Sequence, residues 1–173
     1  MAGHSKWATT HRQKAIVDAK RGAVSLTCTL EAGYGSKIVV PGGGFLLNNE
    51  MGDFNARPGL TNEDGLIGTT PNLARPEQRM LSSMTPTIVA KDGKLFMVTG
   101  SPGGRTIINT VTEVVLNVLA FHMDARAAVD APRFHHQWLP DQVTFEANGI
   151  SAEALESLQP RLKRTERLLD IAA

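Results

Sequence analysis

The chain has a single cysteine, Cys28, in 173 residues, so it holds no internal disulfide framework. Cys28 lies in an alternating apolar-polar run, where a buried, inert thiol is expected. Aromatic residues are scarce, at 5%, which leaves the basic residues without the stacking platform that single-stranded nucleic acids use. No apolar run approaches the ~18 residues of a membrane-crossing helix, and no membrane partner is expected. Net charge is almost absent. Eighteen Lys and Arg against seventeen Asp and Glu give +1, which excludes a chain-wide polycation built for nucleic acid. The N-terminus is basic but no apolar stretch follows it, so it does not read as a secretory signal and a cytoplasmic chain is expected. No internal repeat or low-complexity tract is present.

What remains is a length that suits one domain with its own core. The basic excess sits at the ends. "HSKWATTHRQKAIVDAKRG" (4–22) carries five Lys and Arg against one Asp, and Arg161-Leu162-Lys163-Arg164 lies near the other end. The spacing of Ala15, Ile16 and Ala19, with Gly22 as a stop, predicts a short helix over 8–21. "AVSLTCTL" (23–30), "SKIVV" and "FLLNNEM" read as strands. Residues 52–80, rich in Gly, Pro, Asn and Asp, read as a long loop, either functional or disordered. "TPTIVAKDGKLFMVTG" predicts a hairpin turning at Asp92-Gly93. Ile107, Ile108, Val111, Val114, Val115, Val118 and Leu119 recur at helical spacing. A helix over 124–131 ends at Pro132, "QVTFE" reads as a strand, and Ser151 caps a last helix that Pro160 kinks or splits. The order argues for an α+β layered fold.

Three segments carry candidate chemistry. "SPGGRT" (101–106) runs from a strand through two glycines into a helix. Backbone N–H groups at such a turn can hold a phosphate or the oxyanion of acyl transfer. The Lys-Ser/Thr of a phosphate P-loop is missing. "LLNNEMGDF" (46–54) places Glu50 and Asp53 where two carboxylates could bind an ammonium group, or simply sit solvated on a turn. "MLSSMTP" (80–86) offers the hydroxyls of Ser82 and Ser83 to a carboxylate, or forms a polar bend. His135-His136 diverge along an extended chain and lack companions at metal spacing, so no metal and no cofactor are expected. No G-x-S-x-G elbow is present. Amine, carboxylate and oxyanion recognition together suit the head group of an amino acid whose side-chain acyl group is attacked. A nucleophile is not evident from these segments.

"AVSLTCTLEAGYGSKIVVPGGGFLLNNEMGDF", "LSSMTPTIVAKDGK", "GSPGGRTIINTV" and "VDAPRFHHQWLPD" resemble the small subunit of γ-glutamyltransferases (glutathione hydrolases), from about Ala23 to about Leu158. The resemblance implies an N-terminal-nucleophile hydrolase fold, an αββα sandwich, here partial because further C-terminal strands of the family have no counterpart. It implies a large-subunit partner, self-cleavage of a precursor, γ-glutamyl donors such as glutathione, and an N-terminal threonine whose free amine acts as general base for its own hydroxyl. By the resemblance Gly103 and Gly104 are the oxyanion-hole glycines, Ser82 and Ser83 hold the α-carboxylate, and Asp53 with Glu50 holds the α-amine. Thr29 is the second threonine beside the nucleophile. Glu31 stands where the family most often has Asn.

Thr9-Thr10-His11 matches the family's nucleophile context, which makes Thr9 the candidate catalytic threonine. The family's apolar strand is then replaced by "RQKAI". "MAGHSKWATTHRQKAIVDAKRG" also resembles the N-terminus of the YebC family of gene-expression regulators. The expected organisation is a basic leader over 1–22 joined to a truncated γ-glutamyltransferase-like domain over 23–173. The family is usually periplasmic or extracellular. The competing reading is a non-catalytic regulator that meets nucleic acid or a ribosome through the leader, whose polyanion binding is expected to be weak. A third reading is an inactive remnant.

Overall fold

A computed structural model describes residues 13–18, 20, 22–55, 58–59, 68–158 and 170–171. These fall into two compact units, one up to Ile107 and one from Ile108 on.

The first unit opens with β1 (Gln13–Asp18) and β2 (Ala23–Cys28). They pair antiparallel without a register break, from Gln13 opposite Cys28 to Asp18 opposite Ala23. The helix expected over 8–21 is therefore overturned across Gln13–Asp18. Ile16 and Val17 are β-branched and favour extended backbone. Gly22, at φ +61°, serves the turn into β2 instead of stopping a helix. Along β2 the side chains alternate. Ala23 and Ser25 are buried, whereas Val24, Leu26 and Cys28 are exposed. The buried thiol expected at Cys28 is thus corrected, because Cys28 shares the outward side of β2 with Val24 and Leu26.

The hairpin forms as expected. β3 (Thr87–Lys91) pairs with β4 (Lys94–Thr99). Asp92 and Gly93 both have positive φ, +52° and +75°, as a type I′ turn requires. β2 lies against β3 and β4, and the buried Ser25 hydroxyl donates to the Thr99 carbonyl at 3.0 Å. Met84 and Pro86 complete this small core with Ala23 and Ile107.

The strands expected in "SKIVV" and "FLLNNEM" are reduced to one bridge between Val39 and Leu46. The chain still doubles back, since Leu47 N–H reaches the Ile38 carbonyl and Val40 N–H the Phe45 carbonyl, both at 2.9 Å. Ile38, Val39 and Phe45 are exposed, so no buried face extends the ladder. Glu50–Asp53 and Thr70–Asn72 form short 3-10 turns within what the sequence predicts as strand end and loop.

The second unit holds most of α1 (Ile107–Leu119), then α2 (Ala125–Asp130) and α3 (Ala152–Leu158). Val111 and Val114 of α1 are buried with Ala128 and Val143, while Ile108, Leu116 and Leu119 are exposed. Asp124 caps α2 by accepting the Ala127 N–H at 2.8 Å. Ser151 caps α3 through the Ala154 N–H at 3.1 Å, as expected. β6 (Val143–Glu146) pairs antiparallel with β5 (Phe134–His136) and parallel with β7 (Asp170–Ile171). β5 and β7 were not expected, being three and two residues long. Arg133 and Glu146 clip the β5–β6 pair, with Nη2 2.7 Å from Oε1 and the Arg133 N–H on Oε2 at 3.0 Å. Glu113 accepts the Phe134 N–H at 3.1 Å. Burial pushes the Glu113 carboxyl above its usual range, against the pull of that N–H and of Arg133.

Among the described residues no helix is long and apolar enough to cross a membrane.

Candidate functional site

The expected site residues that the structure describes all lie in the first unit, in two clusters. The first is built on the bend after β2. Glu31 takes φ +73°, a left-handed backbone that costs a residue with a Cβ about 1–2 kcal/mol. This turns its N–H onto the Thr29 Oγ1 at 2.8 Å. The Thr29 oxygen is thereby loaded as an acceptor, and its own proton remains to be donated elsewhere. The Glu31 carboxylate folds back, with Oε2 accepting the Ala32 N–H at 3.0 Å. It packs on Gly52, where an added Cβ would stand 2.8 Å from Oε1.

Gly52 belongs to the 3-10 turn that carries Glu50 and Asp53. Glu50 is buried at 6% exposure, and its N–H is accepted by Asn48 Oδ1 at 3.1 Å. Asn49 Oδ1 accepts the Ala32 N–H at 3.1 Å and holds the turn against the bend. Burial, reinforced by the Glu31 carboxylate, raises the Asp53 carboxyl above its usual range. Glu31, Glu50 and Asp53 thus make one acidic corner beside Thr29.

The second cluster joins Ser82-Ser83 to the glycine pair. Gly103 has φ +128° and Gly104 φ +57°, both in the region that favours glycine. A Cβ at Gly103 would lie 2.4 Å from the Thr106 Oγ1. The Gly103 carbonyl accepts both the N–H and the hydroxyl of Thr106, at 3.1 and 2.9 Å. The 3-10 turn Gly104–Thr106 then runs on into α1. Among the described residues no acceptor stands on the N–H of Gly103 or Gly104. Two such donors at a turn entering a helix can meet an oxyanion. Ser83 Oγ donates to the Gly104 carbonyl at 2.7 Å, and Ser82 Oγ accepts the Met84 N–H at 3.3 Å.

Asn72 links the clusters. Its Nδ2 donates to the Asp53 carbonyl at 2.8 Å, and its Oδ1 accepts the Leu81 N–H at 2.8 Å, one residue before Ser82. Sequence reasoning missed Asn72, Asn49 and Gly52. The signal available was the density of Asn around Glu50, since Asn side chains bond readily to nearby backbone.

Thr9, with Thr10 and His11, lies outside the described residues, as do Pro160 and the basic run after it. His135 Nε2 meets Gln137 Oε1 at 2.8 Å and His136 Nε2 meets Asp141 Oδ1 at 2.9 Å. Among the described residues no group of His, Cys, Asp or Glu is arranged to hold a metal ion.

The sequence profile of the family described as Gamma-glutamyltranspeptidase matches residues 2–169. The chain is 48% identical over 153 residues to the glutathione hydrolase proenzyme of Escherichia coli (strain K12), covering 88% of this chain and 26% of that protein. It is 49% identical over 155 residues to the glutathione hydrolase proenzyme of Pseudomonas aeruginosa, covering 87% of this chain and 28% of that protein. The chain therefore spans about a quarter of the length of these curated relatives. A solved Helicobacter pylori gamma-glutamyltranspeptidase mutant superposes with a TM-score of 0.75 at 45% identity, over 87% of this chain and 81% of that one. Its fold is the N-terminal-nucleophile hydrolase fold, present here in part. The family profile begins at residue 2 and so runs through the stretch 1–22 expected as a YebC-like leader, and these matches lend that leader and the regulator reading no support. With the family profile running along nearly the whole chain, and a solved gamma-glutamyltranspeptidase matching at 45% identity, the chain belongs to the gamma-glutamyltranspeptidase family.

Proposed function

We propose that this chain forms the small-subunit part of an enzyme that moves a γ-glutamyl group to water or to an amino acid or peptide amine. The donor is a γ-glutamyl compound such as glutathione. The observation that carries the reading is the glycine turn, with two N–H groups at Gly103 and Gly104 that have no acceptor among the described residues, on a chain of this family. In this reading a threonine hydroxyl attacks the γ-carbonyl, and its proton passes to the threonine's own amine. The carbonyl oxygen becomes an oxyanion and meets the glycine N–H groups. The tetrahedral intermediate collapses, the amine leaves with a proton, and the acyl group stays on the threonine until water or a second amine removes it.

Asp53 and Glu50 hold the donor α-ammonium, and Ser82-Ser83 the α-carboxylate. Thr9 is the candidate nucleophile and needs the segment Met1–Ala8 removed to free its amine. Thr29 supports it by donating its hydroxyl proton. A large-subunit chain completes the pocket, and the isolated chain is silent.

The test is a γ-glutamyl-p-nitroanilide assay on the purified chain, alone and mixed with the large subunit of a relative. Turnover only in the mixture, lost in Thr9→Ala, supports the reading. Absence of turnover in every mixture sinks it.

A further inference from the structure

A γ-glutamyl donor carries its ammonium and its carboxylate on one carbon. Two subsites that hold both groups at once must keep a fixed span, and an error of about 1 Å in such a geometry costs about 10²-fold in rate. Here the two subsites lie on separate segments. Asp53 ends the 3-10 turn that begins at Glu50, and Ser82-Ser83 lie in irregular chain ahead of β3. Between them in the numbering comes Asn72, the last residue of the turn Thr70–Asn72.

The half-buried Asn72 carboxamide bonds to both segments. Its Nδ2 donates to the Asp53 carbonyl at 2.8 Å and to Asn55 Oδ1 at 3.2 Å. Its Oδ1 accepts the Leu81 N–H at 2.8 Å. The two ends cannot be exchanged, because a peptide carbonyl has no proton to give and a peptide N–H does not accept. Asn55 fastens the turn beneath it, with Nδ2 on the Thr69 carbonyl at 2.7 Å and its N–H on the Asn72 carbonyl at 2.9 Å. A planar group of short reach thus joins the backbone of Asp53 to that of Leu81, the residue before Ser82. Both of these bonds go to main chain, so they leave the Asp53 carboxylate and the two serine hydroxyls to the donor.

We propose that Asn72 is a positioning residue that sets the span between the amine-binding corner at Asp53 and the carboxylate-binding pair Ser82-Ser83, so that one donor carbon reaches both. This rests on the donor-site reading above.

The test is a cycle of four p-nitroanilides on the chain reconstituted with a relative's large subunit. The γ-glutamyl compound carries both groups, the 4-aminobutanoyl compound the amine alone, the glutaryl compound the carboxylate alone and the butanoyl compound neither. The product of kcat/KM for the first and last, divided by the product for the middle two, reads how well both groups are held together. A change confined to one subsite cancels from this ratio. Asn72→Ala lowers it about 10- to 100-fold. Asn72→Asp, close to the same shape, keeps the acceptor for Leu81 and loses the donor to Asp53, and lowers the ratio as well. A ratio unchanged in either variant overturns the proposal, since a merely structural role would lower kcat/KM on the single-group donors in proportion.

A second measurement needs no turnover. In the full chain by itself, amide hydrogen exchange at Leu81 is faster in Asn72→Ala than in the wild type and stays slow in Asn72→Asp. Unchanged exchange in Asn72→Ala overturns the tie and the proposal with it. A wild-type mixture that turns over none of the four donors sinks the donor-site reading and the role of Asn72 in it, while the exchange still shows the tie.

Discussion

Asp53 and Glu31 sit close enough for their carboxylates to repel, although twenty-two positions apart in the numbering and on different turns. Burial acts first and Glu31 second, and both favour the protonated form of Asp53. An ammonium ligand needs the charged form. Donor affinity is therefore expected to fall as pH drops through a midpoint above the ordinary carboxylate range. Glu31→Gln removes one cause and leaves burial, so the midpoint moves down without reaching the ordinary value. The pH dependence of donor KM, or the carbon-13 titration of the Asp53 carboxyl, reads this. For folding the sign is reversed. A raised carboxyl favours the fold most at low pH, and that contribution is lost as pH rises through the folded midpoint. An identical midpoint in Glu31→Gln would show that the two carboxylates do not interact.

Removing the Asp53 carboxylate altogether should weaken donors that bear a free α-amine. A hydrogen bond to a charged group contributes about 1.5–3 kcal/mol, or roughly 10- to 150-fold in KM. N-acetylated donors should be nearly indifferent to Asp53→Ala. Equal losses on both donor types would move Asp53 from recognition to folding.

The two glycines should fail differently. In Gly103→Ala the new methyl meets the Thr106 hydroxyl 2.4 Å away, so the turn must shift, and kcat should fall about 10²–10³-fold as for a lost oxyanion donor. Gly104→Ala meets nothing within 4 Å and suffers only the left-handed backbone, about 1–2 kcal/mol. Steady-state kinetics of the pair should rank Gly103→Ala as the worse. The opposite ranking would show that the open space at Gly104 is where the substrate lies.

Ser25 gives a prediction of stability alone. Its hydroxyl is buried and tied to the Thr99 carbonyl. Ser25→Ala leaves that carbonyl without its partner, which costs about 1–3 kcal/mol. The melting temperature should drop by several degrees. No change would mean that water replaces the hydroxyl.

Cys28 should react with maleimide at full stoichiometry in the native chain, because it is exposed on β2. Labelling that needs denaturant would return it to the interior.

Where the backbone conformation is dictated by a local residue, the sequence announces it. Asp92-Gly93 demands a left-handed pair and obtains a hairpin turn. Ser151 offers an oxygen where α3 has a spare N–H. Seven of the eight apolar positions of α1 repeat at helical spacing, and the segment forms a helix. The failures are places where a partner decides. Ala15, Ile16 and Ala19 satisfy a helical spacing as well as a strand, and β1 is a strand because β2 supplies its hydrogen bonds. The outward phase of Val24, Leu26 and Cys28 depends on which side of β2 meets β3 and β4. β7, two residues long, has no periodicity to read and exists through its pairing with β6. The site shows the same division. Gly103, Gly104, Ser82 and Ser83 were visible as motifs, but the bond from Ser83 to Gly104 joins segments twenty-one positions apart. Asn72 works by reaching two distant carbonyl and amide groups and belongs to no motif.

β6 is hydrogen-bonded on both sides, by β5 and by β7, whereas β1, β2, β3 and β4 are each paired on one side only among the described residues. A strand paired on one side keeps a row of donors and acceptors at the pitch of a further strand. β5 and β7 are in the same position, each paired only with β6 among the described residues. A peptide that adds to this protein as a strand therefore finds its place at one of these edges, and its binding would leave the amides of β6 as they were.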